Sequence, residues 1–156
     1  MENLNEAHRG GTFCLSKAGL ARNSTTASKV DIAAPNGAGV DYCIGGSLYH
    51  KADDTAIDLD AQPTQEADTT CLYLVCLDTA GAVSTVKGKD VNNTDIANGA
   101  GVIHFPDVPD GQCAIGSIKI NTVAVTFTAG TTALNASGVT ATFTDLFAVP
   151  TAPLAS

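Results

Sequence analysis

The sequence predicts an all-β fold, a single antiparallel β-sandwich or barrel with extended N- and C-terminal arms. Short runs rich in Val, Ile, Thr, Tyr and Phe recur along the 156 residues. Clusters of Gly, Pro, Asn and Asp separate them as turn signals do, and no long stretch carries the apolar period of a helix. Eight or nine short strands of this kind bury their apolar faces only as sheet on sheet or as a closed sheet.

The chain divides into a leading arm with a basic bias, residues 1–29, a β domain, 30–147, and an extended tail, 148–156. Within the arm, Arg22 to Lys29 is a polar stretch without periodicity. Val40–Ile44 and Ser47–His50 flank Gly45-Gly46, a two-residue hairpin signal. Residues 55–60 alternate, with Ile57 and Leu59 on one face and Asp58 and Asp60 on the other.

Residues 69–77 are apolar on both faces and lead through Asp78–Gly81 into 82–87, a central hairpin. Cys71 and Cys76, five apart, point to opposite faces of a regular strand and so share neither a bridge nor a metal. Residues 90–101 read as a polar loop, Val102–Phe105 as a short strand, and 106–111 as a turn. Residues 113–120 and 122–128 read as two strands with either a bend or a second tight turn at Asn121, and 139–147 as the last strand. Pro150 and Pro153 mark the tail as extended. The core candidates are Leu72, Leu74, Val75, Ile115, Ile118, Ile120, Val123, Val125 and Phe127.

Charge narrows the function classes. The net charge is −8, split as +2 over residues 1–29 and −10 from Val30 onward. An acidic body argues against nucleic acid or an anionic membrane as partner, because both demand a basic footprint. No apolar run is long enough to span a bilayer, and the polar start has no secretion-signal pattern. Five cysteines at irregular spacing point to buried, reduced thiols and synthesis in a cytoplasm. Aromatics are only 5% and Trp is absent, so a core of small side chains gains from neighbouring subunits.

Catalytic signals are weak. His8, His50 and His104 stand in no metal or triad spacing, and Asp53, Asp54, Asp58 and Asp60 do not follow a calcium-loop pattern. His50, close to Lys51, Asp53 and Asp54, is the candidate pH-sensitive spot. The expectation is a non-enzymatic protein with no catalytic residues, no metal and no cofactor.

Several stretches carry a resemblance: Lys17-Ala-Gly-Leu-Ala-Arg-Asn23; Ile44-Gly-Gly-Ser-Leu-Tyr-His-Lys51; Cys71–Val75 followed by Asp78–Gly81 and Val86-Lys-Gly88; and Phe127 through Phe143. In texture and order, over roughly residues 15–147, they resemble small structural proteins of tailed bacteriophages. Within that group the size, acidity and β-character are similar to the decoration, or cement, proteins on the outside of icosahedral heads. The resemblance implies a virion location on the capsid exterior, the major capsid protein as partner, and a homo-oligomer with a trimer favoured. A tail, baseplate or head-fibre component is the second reading, and a carbohydrate-binding adhesin module is the one from another class. The charge split makes Arg9, Lys17, Arg22 and Lys29 the candidates for docking on an acidic shell.

Overall fold

The computed structural model describes residues 11–147. Among these residues eleven strands form three antiparallel sheets, with one short helix. The largest contains β7 (Thr69–Leu77), β8 (Val83–Lys87), β10 (Cys113–Thr122) and β11 (Val139–Asp145) in the order β11-β10-β7-β8, with β9 (Val91–Asn92) beside β7. A second joins β1 (Phe13–Cys14), β4 (Val40–Ile44) and β5 (Ser47–Lys51). The third joins β2 (Leu20–Arg22), β3 (Lys29–Ile32) and β6 (Asp54–Asp58). No helix among the described residues is long and apolar enough to cross a membrane.

Alternation along β7 decides how the layers meet. Cys71, Tyr73, Val75 and Leu77 face the common core, where Leu20, Ile32 and Tyr42 arrive from the small sheets and Ile118 and Ile120 from β10. Leu74 and Cys76 occupy the opposite face and are also buried. Cys71 and Cys76 thus lie on opposite faces, and all five cysteines are unpaired and buried. The sheets interlock at Gly116, just past a bulge in β10, where an added Cβ would come within 2.9 Å of Leu20 Cδ2. Nearby, the Leu20 N–H donates to Asp145 Oδ1 at 3.0 Å, tying β2 to the end of β11.

The predicted hairpins β4–β5 and β7–β8 form in register, with Gly45 and Gly46 both at positive φ. Five expectations need correction. Residues 11–29 belong to the body: Cys14, Ala18 and Leu20 are buried, and Arg22 to Lys29 is the β2–β3 hairpin turn. Asn23 makes that turn, its Oδ1 accepting from the N–H groups of Thr25 and Thr26 while its Nδ2 donates to Asp31. Residues 1–10 and 148–156 of the expected arms lie outside the described residues.

Val102–Phe105 is not a strand but an irregular segment, bounded by Gly101 and Pro106, with no strand partner. The loop before it contains the helix α1 (Asn93–Ala97), whose cap is Asn92, with Oδ1 accepting from Thr94 N at 2.8 Å. β10 continues through Asn121, whose Nδ2 donates to Thr70 and Asn93, and the chain bends instead at Ala124. There a φ of 55° aims the Ala124 N–H at Asp68 Oδ1, so 123–128 forms no strand beyond one bridge between Gln65 and Phe127. Val123 is consequently 56% exposed and not core, Val125 is half-buried, and Leu72 is half-buried, while the other six core candidates are buried.

Candidate interaction surface

Among the described residues, the ends of two strands and one turn build a strip of exposed apolar side chains. In β1, alternation sends Cys14 inward and Phe13 outward. After β11, Leu146 N donates to Ile115 O at 3.0 Å, which carries the chain along β10 and leaves Phe147 on the surface. Pro109 turns the chain toward Gln112, whose N–H donates to the Pro109 carbonyl, and sets Val108 opposite Phe13.

Two adjoining grooves result. One, about 320 Å³, lies between Phe13 and Val108 with Pro109 and Asp110 on its rim; the other, about 290 Å³, lies between Phe13, Ala114, Leu146 and Phe147. Phe13 and Ala114 line both, so the strip is continuous. Phe13, Val108 and Phe147 are 41%, 41% and 39% exposed, which leaves three large apolar side chains together at the solvent. Isolated exposed apolar residues are ordinary, whereas a joined set with polar edges marks a contact surface.

The expected docking cations are not gathered. Lys17 borders the strip, its Nζ 5.3 Å from the centre of the Phe147 ring. Arg22 is half-buried in β2 and donates to the Asn23 carbonyl. Lys29 pairs with Asp58 at 2.9 Å across β3 and β6. Arg9 lies outside the described residues. The apolar strip itself escaped the sequence reading, because its members come from three separate stretches of chain.

The titratable groups are placed differently from their order in sequence. His50 faces Asp41 across the β4–β5 hairpin, Nδ1 to Oδ1 at 2.8 Å, rather than its neighbours Asp53 and Asp54. Both side chains are about half exposed and line an open groove of about 410 Å³ with Ser16, Leu48 and Tyr49. Ser16 Oγ accepts from the Asp41 N–H at 2.8 Å, and no described contact joins it to the imidazole. The carboxylate and ring therefore form a cross-strand pair without a nucleophile engaged by the base.

The four aspartates of the acidic stretch work separately. Asp53 accepts from Ala34 N, Asp54 pairs with Lys51, Asp58 with Lys29, and Asp60 accepts from Thr85 N. Lys51 holds the Asp54 carboxyl below its ordinary range. Among the described residues, no three His, Cys, Asp or Glu side chains converge as metal ligands.

Comparisons with known proteins return no matching family, no matching curated protein and no matching solved structure.

Proposed function

We propose that this protein is a non-enzymatic structural component of a tailed-bacteriophage particle, a decoration protein that binds the outer head between major capsid protein subunits and reinforces it. The continuous apolar strip around Phe13 and Phe147 is the observation that carries the reading, since a joined apolar surface with polar edges favours contact with another chain. The phage assignment rests on the likeness of residues 15–147 to small virion proteins, and Lys17, exposed beside the strip at Phe147, supplies a contact to an acidic shell.

Purified chain added to heads from a phage lacking its gene tests this reading. Saturable co-sedimentation at hundreds of copies per head is expected, with weaker binding by the Lys17→Glu variant. Absence of binding to heads and to complete particles overturns the assignment. Binding at a few copies, confined to the tail or a vertex, transfers the protein to a tail, baseplate or head-fibre role.

A further inference from the structure

We infer that the outer edge of β11 pairs antiparallel with β11 of a second copy of this chain, joining two copies through one continuous sheet. The inference concerns the chain by itself and does not depend on the role proposed above. Strand β11 ends the main sheet on one side, and its register with β10 runs unbroken from Val139 opposite Thr122 to Asp145 opposite Gly116. Two hydrogen bonds bracket that ladder: the Val123 N–H donates to Gly138 O at 2.8 Å and the Leu146 N–H to Ile115 O at 3.0 Å. Both place the main-chain groups of even-numbered residues toward β10, so those of Ala141 and Phe143 point away from the sheet. Among the described residues, nothing bonds to them.

The other edges carry the devices that keep strands from pairing with foreign strands. On β8, Asp60 Oδ2 accepts from the Thr85 N–H and Gln62 Nε2 donates to the Thr85 carbonyl, so side chains occupy that edge. Strand β6 carries Asp54 and Asp58 and is bent at Ala56, whose φ is 57°. Strand β5 carries His50 and Lys51, and β1, β2 and β9 span only two or three residues. By contrast, β11 has seven residues and no Lys, Arg, Pro or bulge. Its one charged side chain, Asp145, accepts from the Leu20 N–H.

The strand is complementary to itself. A twofold axis centred on Thr142 overlaps all seven residues and sets Ala141 of each copy opposite Phe143 of the other. Their outward N–H and C=O groups then exchange hydrogen bonds in both pairs. The small side chain meets the large one on the core face, where both are half-buried at the margin of the core. On the exposed face Thr142 meets its own copy, and Thr140 meets Thr144. Although each chain carries a net charge of −8, the stretch 139–144 that forms the contact is uncharged. Such a contact uses the same patch on both copies and closes at a dimer.

Full-length chain without heads tests the inference. Sedimentation velocity is expected to show a dimer for the parent. A Thr140→Lys/Thr144→Lys double variant and a Thr140→Glu/Thr144→Glu double variant each set like charges opposite one another, and each alone is expected to be monomeric. An equimolar mixture of the two is expected to regain the dimer, because every facing pair then carries opposite charges. Within their own sheet Thr140 and Thr144 are exposed and stand opposite the neutral Asn121 and Ser117, so circular dichroism and melting curves are expected to match the parent. Amide exchange on the parent reads the same edge without substitution: the N–H groups of Ala141 and Phe143 are expected to be protected in the dimer and to lose that protection on dilution to monomer. If a double variant does not fold, this exchange result decides. A parent that is monomeric or trimeric, folded double variants that still associate, a mixture that stays monomeric, or unprotected Ala141 and Phe143 amides in an associated parent overturns the inference. Failure of a dimeric chain to bind heads overturns only the assignment to the capsid.

Discussion

The Tyr73 hydroxyl donates to Gln65 Oε1 at 3.3 Å, with both side chains shut off from solvent. The amide of Gln65 is occupied at its other end, where Nε2 donates to the carbonyls of Thr69 and Ile120. Its backbone bridges Phe127, whose ring meets the Tyr73 ring edge-on at 5.8 Å. One glutamine therefore joins the irregular segment 123–128 to β7 and β10.

Replacing Gln65 by Ala leaves the Tyr73 hydroxyl and two buried carbonyls short of a partner. A loss of about 1–3 kcal/mol is expected in a urea melt. Tyr73→Phe removes a hydroxyl from the same network, and the double variant is expected to cost less than the two single losses added. Strict additivity contradicts the network.

Leu74 and Val123 separate buried from exposed apolar positions. Leu74 is 2% exposed on the outer face of the main sheet, so Leu74→Ala is expected to cost about 2–5 kcal/mol. Val123→Ala, at 56% exposure, is expected to change stability by less than about 0.5 kcal/mol. Denaturant melts of the two variants check the contrast, and equal losses refute the bend placed at Ala124.

Gly39 tests a backbone contact. Its φ is 94°, and an added Cβ would stand 2.2 Å from the Lys51 carbonyl oxygen, at the open end of the β4–β5 hairpin. Gly39→Ala therefore combines a conformation hostile to a side chain with a collision against main chain. A fall in stability of at least about 1–3 kcal/mol is expected from the conformation alone, read as a lower melting temperature.

The thiols set an alkaline limit. Burial, aided by the negative charge of Asp90, pushes Cys71 from 9.0 up to about 12. Burial, with a smaller contribution from Cys14, pushes Cys113 to about 12, and burial alone raises Cys76 to about 11. The unfolded chain gives up these protons near its ordinary thiol range while the native chain keeps them. Their contribution to stability is complete below about pH 9 and declines as pH rises toward 12. Stability measured across that window is expected to fall, less steeply in a Cys71→Ala chain, and native protein at pH 8 is expected to react slowly with a disulfide reagent until unfolded.

How far these features could be read beforehand depended on whether their cause was local. The Gly45-Gly46 hairpin announces itself, and its two-residue loop sets Asp41 opposite His50; the pair was legible from register alone, though proximity in sequence pointed to Asp53 and Asp54 instead. The apolar runs of β7 and β10 were equally plain, and so were their buried side chains. Asn23 read as part of a loose arm because a side chain that closes a turn on Thr25, Thr26 and Asp31 looks, in sequence, like any polar residue. Val102–Phe105 has strand composition but lacks a neighbouring strand, which is a property of the whole fold. The strip around Phe13 was illegible for the same reason, since Val108, Ala114 and Phe147 meet only after folding.

The bond from Leu20 to Asp145 bears on how the chain is made. It spans 125 residues and couples one of the first strands to leave the ribosome to the last. Contacts of such separation form late, after the entropy of closing the intervening loop has been overcome. Until residue 145 clears the exit tunnel, β2 lacks this anchor on the main sheet, and the nascent chain must keep Leu20 and the incomplete sheet edge from meeting those of other chains.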